Sequence, residues 1–167
     1  MDGKRVDESR VFMAQVMNPQ DANPAGNVHG GVIMKLIDTA AGTVAIRHAR
    51  SNVVTAAIDR LEFHRPVFIG DLLTLKASLN FAGRTSMEIG VRVEAENCMT
   101  GEVRHTSSAY LTFVALDKSG HPLDIPPLLL ETDDDKRRNE EAKARREMRS
   151  LERKKEKEGG QSRFTGM

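Results

Sequence analysis

A single cysteine, Cys98, in a chain of 167 residues leaves no partner for an intrachain disulfide and completes neither a CxxC pair nor a zinc pattern. A reducing compartment is the expectation. No apolar run approaches the roughly 18 residues that cross a membrane, and the opening "MDGKRVDESR" lacks the apolar centre of a secretory leader. The protein is therefore expected to be cytoplasmic, with no membrane insertion. Excess charge is also missing. With 25 Lys and Arg against 24 Asp and Glu, the net charge of +1 exerts no global pull on nucleic acid or on an anionic surface, so any anion site must be local. His48, His64, His105 and His121 show no HxxxH or similar spacing, and no metal site is expected. There is no GxxxxGK[ST] phosphate loop and no GxSxG nucleophile elbow, which leaves an α/β-hydrolase mechanism without support.

What is present is periodic. "SRVFMAQVM" alternates and stops at "NPQ", the pattern of a strand running into a loop. From Val32 onward, Ile33, Leu36, Ile37, Ala40, Ala41 and Val44 recur at helical spacing and predict an amphipathic helix of about four to five turns. Four segments rich in β-branched residues follow, opening at Asn52, Asp71, Ser86 and Glu102, and the short connections between the last three predict an antiparallel meander. This order implies an α+β fold in which a curved antiparallel sheet wraps one long helix. Such a sheet has an open edge strand, and edge pairing into a dimer would cover it. The prolines of "HPLDIPPLLLE" argue against regular pairing there. Beyond Thr132, a plausible N-cap, lies a charged C-terminal helix, acidic at its start and basic at its end, closed by Gly159 and Gly160. Its one apolar stripe, Ala144, Met148 and Leu151, is narrow, so this helix is expected to be largely solvated, and its interspersed Glu argues against nucleic acid as a partner. The expected layout is a flexible N-terminus over 1–8, a domain over 9–130, the charged helix over 131–158 and a flexible tail over 159–167.

Where the loop meets the first helix, "NPAGNVHGG" sets Asn23, His29, Gly30 and Gly31 beside a helix N-terminus. Free backbone N–H groups and a positive dipole end favour a developing negative charge, and glycine lets a substrate carbonyl come close. Gly30 and Gly31 thus suit an oxyanion hole, or else simply admit close helix packing. Asp38 borders the apolar stripe, as a solvated margin residue or as a functional carboxylate. Asn23, ahead of Pro24, suits a turn. His29 reads as a cap or brace for the loop. Local positive charge and donors for an anionic ligand are available at Arg84, Thr85 and Ser86 in the hairpin between the third and fourth strands, and more weakly at Thr55 and Arg65; Arg84 also fits a solvated turn.

The stretches "DANPAGNVHGGVIMKLIDTAAG", "VVTAAIDRLEFHRPVFIGD" and "SMEIGVRVEAE" together resemble the acyl-CoA thioesterase branch of the hot-dog superfamily, close to the cytosolic acyl-CoA hydrolases. The resemblance implies a hot-dog fold and hydrolysis of fatty acyl-CoA to free acid and CoA without cofactor. It implies dimers joined through an edge strand, often assembled as trimers of dimers. It also implies Asp38 as the catalytic carboxylate, acting as base or nucleophile, and Asn23 as the residue that orients water or the thioester. A hydroxyacyl dehydratase on the same fold and a non-catalytic acyl-CoA-binding module are the alternatives; the aspartate, where dehydratases carry glutamate, favours the thioesterase. Gly30 and Asp38 are eight residues apart, about 12 Å along a helix, which points to one site built from two chains.

Overall fold

The computed structural model describes residues 1–163, the last six as helical backbone only. Its centre is the helix α2, Gly30–Ala49, whose buried residues Ile33, Ile37, Ala40, Ala41, Val44 and Ala45 lie on one face at spacings of three and four. Four alanines or valines on that face keep the helix axis close to the sheet beneath it. The sheet has five antiparallel strands in the order β2 (Val11–Val16), β4 (Leu72–Ala82), β5 (Ser86–Glu96), β6 (Val103–Leu116) and β3 (Asn52–Phe63). Strictly alternating residues supply its inner face: Leu73, Leu75, Ala77 and Leu79 on β4, Ile89, Val91, Val93 and Ala95 on β5, and Ala109, Leu111, Phe113 and Ala115 on β6 are all buried. The strands β4, β5 and β6 form the expected meander. β3 instead closes the far side against β6, with register shifts between Thr55 and Ala57 and between Ile58 and Arg60.

The N-terminal segment differs from the flexible arm expected over 1–8. β1 (Lys4–Arg5) pairs in parallel with β7 (Leu128–Leu129), Val6 of the short helix α1 (Val6–Ser9) is buried, and Lys4 Nζ donates to the His48 carbonyl at 2.6 Å. An ammonium on the last carbonyls of α2 offsets the negative end of its dipole. The proline-rich stretch pairs after all, because β7 begins just beyond Pro127 and so loses no donor.

The largest departure is α3, Asp133–Arg163. Thr132 caps it: the Asp135 N–H donates to Thr132 Oγ1 at 3.0 Å while Asp135 Oδ2 accepts from the Thr132 N–H at 3.1 Å. The helix continues through Gly159 and Gly160 instead of closing there, and residues 164–167 of the expected tail lie outside those described. Nor is it solvated all round. Asp135, Asn139 and Ala142 are buried against the outer face of the sheet, whereas Ala144, Met148 and Leu151, the apolar stripe, face solvent. Polar residues dock it. Asn139 Nδ2 donates to the Asn80 carbonyl at 2.9 Å, Arg149 donates to Asp59 and Thr112, and Arg145 binds the buried Glu88 at 2.7 Å while its guanidinium lies 3.7 Å over the Tyr110 ring. Burial alone would lower the Arg145 pKa, but the hydrogen bonds and charge of Glu88 outweigh it and hold the guanidinium above its ordinary value.

Candidate active site

The chain leaves β2 through a 3-10 turn, Pro19–Asp21, and loops back to α2. Asn23 organises that loop: its Oδ1 accepts from the Ala25 N–H at 2.9 Å and the Asn27 N–H at 3.2 Å. A side-chain oxygen that receives successive backbone donors mimics a turn. The turn reading therefore holds, while the amide NH₂ makes no hydrogen bond among the described residues and Asn23 lines a cleft of about 310 Å³. Gly30, Phe63, His64 and Arg65 line the same cleft.

His29 is the N-cap of α2, and its Nδ1 accepts from the Gly31 N–H at 2.9 Å. With Nδ1 accepting, the ring proton sits on Nε2. This bond engages the Gly31 donor and explains its glycine, because a Cβ there would lie 3.0 Å from the same Nδ1. Gly30 is different. Its N–H has no partner among the described residues, and an added Cβ would meet only Phe63 at 3.6 Å, an ordinary contact. Packing within the protomer does not demand a glycine at 30.

Asp38 lies two turns further along α2, half-buried, and its Oδ1 accepts from Thr55 Oγ1 at 2.8 Å. Thr55 thus sits on the carboxylate. Neither residue lines the Gly30 cleft. One protomer brings together Asn23, Gly30 and Arg65 in one place and Asp38 with Thr55 in another.

The hairpin at 83–86 lies with the second group, since Ser86 and Val54 flank Val114 on its two sides. Within the protomer its polar groups are engaged: Arg84 pairs with Asp124 at 2.7 Å, the Thr85 carbonyl accepts from the Ala115 N–H, and Ser86 Oγ accepts from Arg146 at 3.0 Å. Sequence reasoning missed the support of the Asn23 loop. Asp71, buried, accepts from the Phe68 N–H at 2.9 Å and from Arg104 at 2.5 Å. The turn it fixes carries Val67 and Phe68, onto which Val28 and Asn27 pair. Only the alternation of β6 hinted at this, and it gives no sign that Arg104 faces Asp71.

Among the described residues no group of three or more His, Cys, Asp or Glu could hold a metal ion, and no helix is long and apolar enough to cross a membrane. The whole arrangement superposes on a hexameric acyl-CoA thioesterase solved in its apo form, with TM-score 0.88 and 39% identity over 91% of this chain and 97% of that one. Residues 25–102 match the thioesterase superfamily. This chain belongs to the thioesterase superfamily. Its hot-dog fold is shared with an acyl-CoA hydrolase from Staphylococcus aureus solved with butyryl coenzyme A, coenzyme A and coenzyme A disulfide, at TM-score 0.86, 33% identity and coverage of 95% and 97%. That hydrolase has also been solved as variants with alanine in place of an asparagine, an aspartate and a threonine. Among curated thioesterases, the rat cytosolic acyl coenzyme A thioester hydrolase is 39% identical over 142 residues, 84% of this chain. The chain spans only 37% of that relative's length.

Proposed function

We propose that this thioesterase hydrolyses fatty acyl-CoA to free acid and CoA in the cytoplasm, at sites shared between two chains of a homodimer. The observation that carries the reading is the division of the site within one protomer: an unengaged N–H at Gly30 with the Asn23 amide in one cleft, and the Thr55-held Asp38 carboxylate outside it. About 12 Å of helix separates them, too far for one thioester carbon. Two antiparallel copies of α2 about a two-fold axis bring the Gly30 end of one chain beside Asp38 of the other. The spacing in the Staphylococcus aureus hydrolase supports this set, because its altered asparagine, aspartate and threonine stand fifteen and then seventeen positions apart, as Asn23, Asp38 and Thr55 do here.

In the proposed reaction the thioester oxygen accepts from the Gly30 N–H, which stabilises the charge it gains; such a donor contributes about 2.7 to 4 kcal/mol. Asn23 orients a water, Asp38 takes its proton, and the water oxygen bonds to the carbonyl carbon. The C–S bond then breaks, and the proton passes to the departing sulfur. His29 and Gly31 shape the helix cap, and Arg65 at the cleft mouth faces the anionic CoA moiety. The hairpin residues Arg84, Thr85 and Ser86, at the Asp38 end, supply further polar contacts to CoA across the interface. Three such dimers form the hexamer, in line with the hexameric relative.

Refolding an equal mixture of Asn23→Ala and Asp38→Ala chains tests the shared site. Half the dimers are then mixed with one intact site each, so roughly a quarter of wild-type activity returns. Recovery no greater than the mean of the separate variants would place both residues in one chain's site.

A further inference from the structure

A second cleft is larger than the one at Gly30. It lies on the opposite face of the sheet, beside α3, with a volume of about 440 Å³. Its floor follows from strand register: Phe12, Lys76 and Arg92 stand in one row across β2, β4 and β5, and Ser78, Gly90 and Tyr110 stand in the next across β4, β5 and β6. The hollow arises at Gly90, which puts no side chain on the floor; a Cβ there would lie 2.7 Å from Asn80 Nδ2. A glycine inside a strand marks such close approaches.

The charge around this hollow is uneven. Arg10, Lys76, Arg92, Arg137 and Arg138 line it. Against these five cations stand three carboxylates: Glu94, shared by Lys76 and Arg92, Asp134, shared by Arg137 and Arg138, and Glu141, paired with Arg137. Two positive charges are left over in a chain whose net charge is only +1. The Arg10 guanidinium has no partner among the described residues, although its carbonyl is held by Arg47 at 2.6 Å. Concave walls of one sign focus the field and concentrate counter-ions, and arginine forks fit phosphate oxygens in pairs.

We propose that this cleft binds a small anion bearing two phosphate groups, between the β2–β5 floor and the first turns of α3. The sheet separates the site from the Gly30 cleft, so the assignment does not rest on the thioesterase reading. Calorimetric titration of the full chain with inorganic pyrophosphate tests it without any turnover. One saturable site per chain is expected, about tenfold tighter than for inorganic phosphate and weakening as salt rises. Arg10→Gln, which breaks no pair, weakens it severalfold, and Arg10→Gln/Arg92→Gln weakens it at least tenfold, with melting temperature and acyl-CoA turnover unchanged. A second CoA per chain, lost in the double variant and kept in Asp38→Asn, identifies CoA as the source of the phosphates. A single CoA untouched by the double variant identifies a free diphosphate. No saturable pyrophosphate binding up to about 10 mM, or binding undiminished in both variants, overturns the proposal.

Discussion

Asp38 has one visible neighbour that matters, the Thr55 hydroxyl, and each makes its own prediction. Asp38→Asn keeps the shape of the side chain and removes the proposed proton acceptor, so kcat is expected to fall about 10²- to 10⁴-fold while CoA affinity and melting temperature stay near wild type. A loss of only a few-fold, measured as thiol release from acyl-CoA, ends the catalytic role of Asp38. Thr55→Val leaves the carboxylate in place but unheld, at a cost of about 1–2 kcal/mol in the barrier, or 5- to 30-fold in rate. His48, at the far end of the same helix, bears on stability instead. It is buried with Nε2 donating to the Pro126 carbonyl at 2.8 Å and Nδ1 unpartnered. Burial holds its pKa below the usual 6.5, and the Pro126 bond, which acts the other way, does not compensate. Below about pH 6.5 the unfolded chain therefore takes up a proton that the folded chain refuses. Stability, full above that pH, declines as pH falls toward the lowered folded value. Urea unfolding at pH 7.5 and 5.5 registers the decline in wild type and less of it in His48→Gln.

At the level of the elements, α3 carries the clearest lesson about legibility. Its N-cap and charge gradient are readable from "ETDDDKRR" onward, but its C-terminal end and its docked face are not. Apolar periodicity finds faces that pack against apolar partners, and this helix packs with Arg138, Asn139, Arg145 and Arg149 against Ser78, Asn80, Glu88 and Asp59. Those partners reside on three other strands, so nothing local marks them. The ion pair between Arg145 and Glu88 makes the docking testable, since Glu88 is 3% exposed. Arg145→Met strands that carboxylate and lowers unfolding free energy by about 3 kcal/mol. Adding Glu88→Gln recovers a good part of the loss. If Arg145→Met unfolds at the same denaturant concentration as wild type, α3 is not held as described.

For the molecule as a whole, the unpaired side of β3 is decisive. Val54, Ile58 and Phe63 on it are 42%, 44% and 48% exposed, and Met34 and Ile46 on the adjoining α2 are 40% and 50% exposed. An open, apolar edge of twelve residues is the surface through which two chains complete each other in the proposed dimer. Ile58→Lys introduces a charge there without touching Asn23, Gly30, Asp38 or Thr55. Sedimentation should then register monomers with wild-type circular dichroism, and activity per chain should fall below about a hundredth of wild type. An active monomer would show that one chain holds a whole site.

Local pattern determined the elements: the period of α2, the alternation of the long strands and the loop chemistry around Asn23 and His29 are all written in neighbouring residues, because helix and strand repeats are local properties of the backbone. Which hydroxyl sits on Asp38 and which carboxylates receive α3 were decided only by the tertiary structure. Each of these depends on side chains 17 or more residues apart meeting at a few ångströms, as Thr55 meets Asp38 and Arg145 meets Glu88. Linear spacing carries no information about such meetings until the sheet is closed.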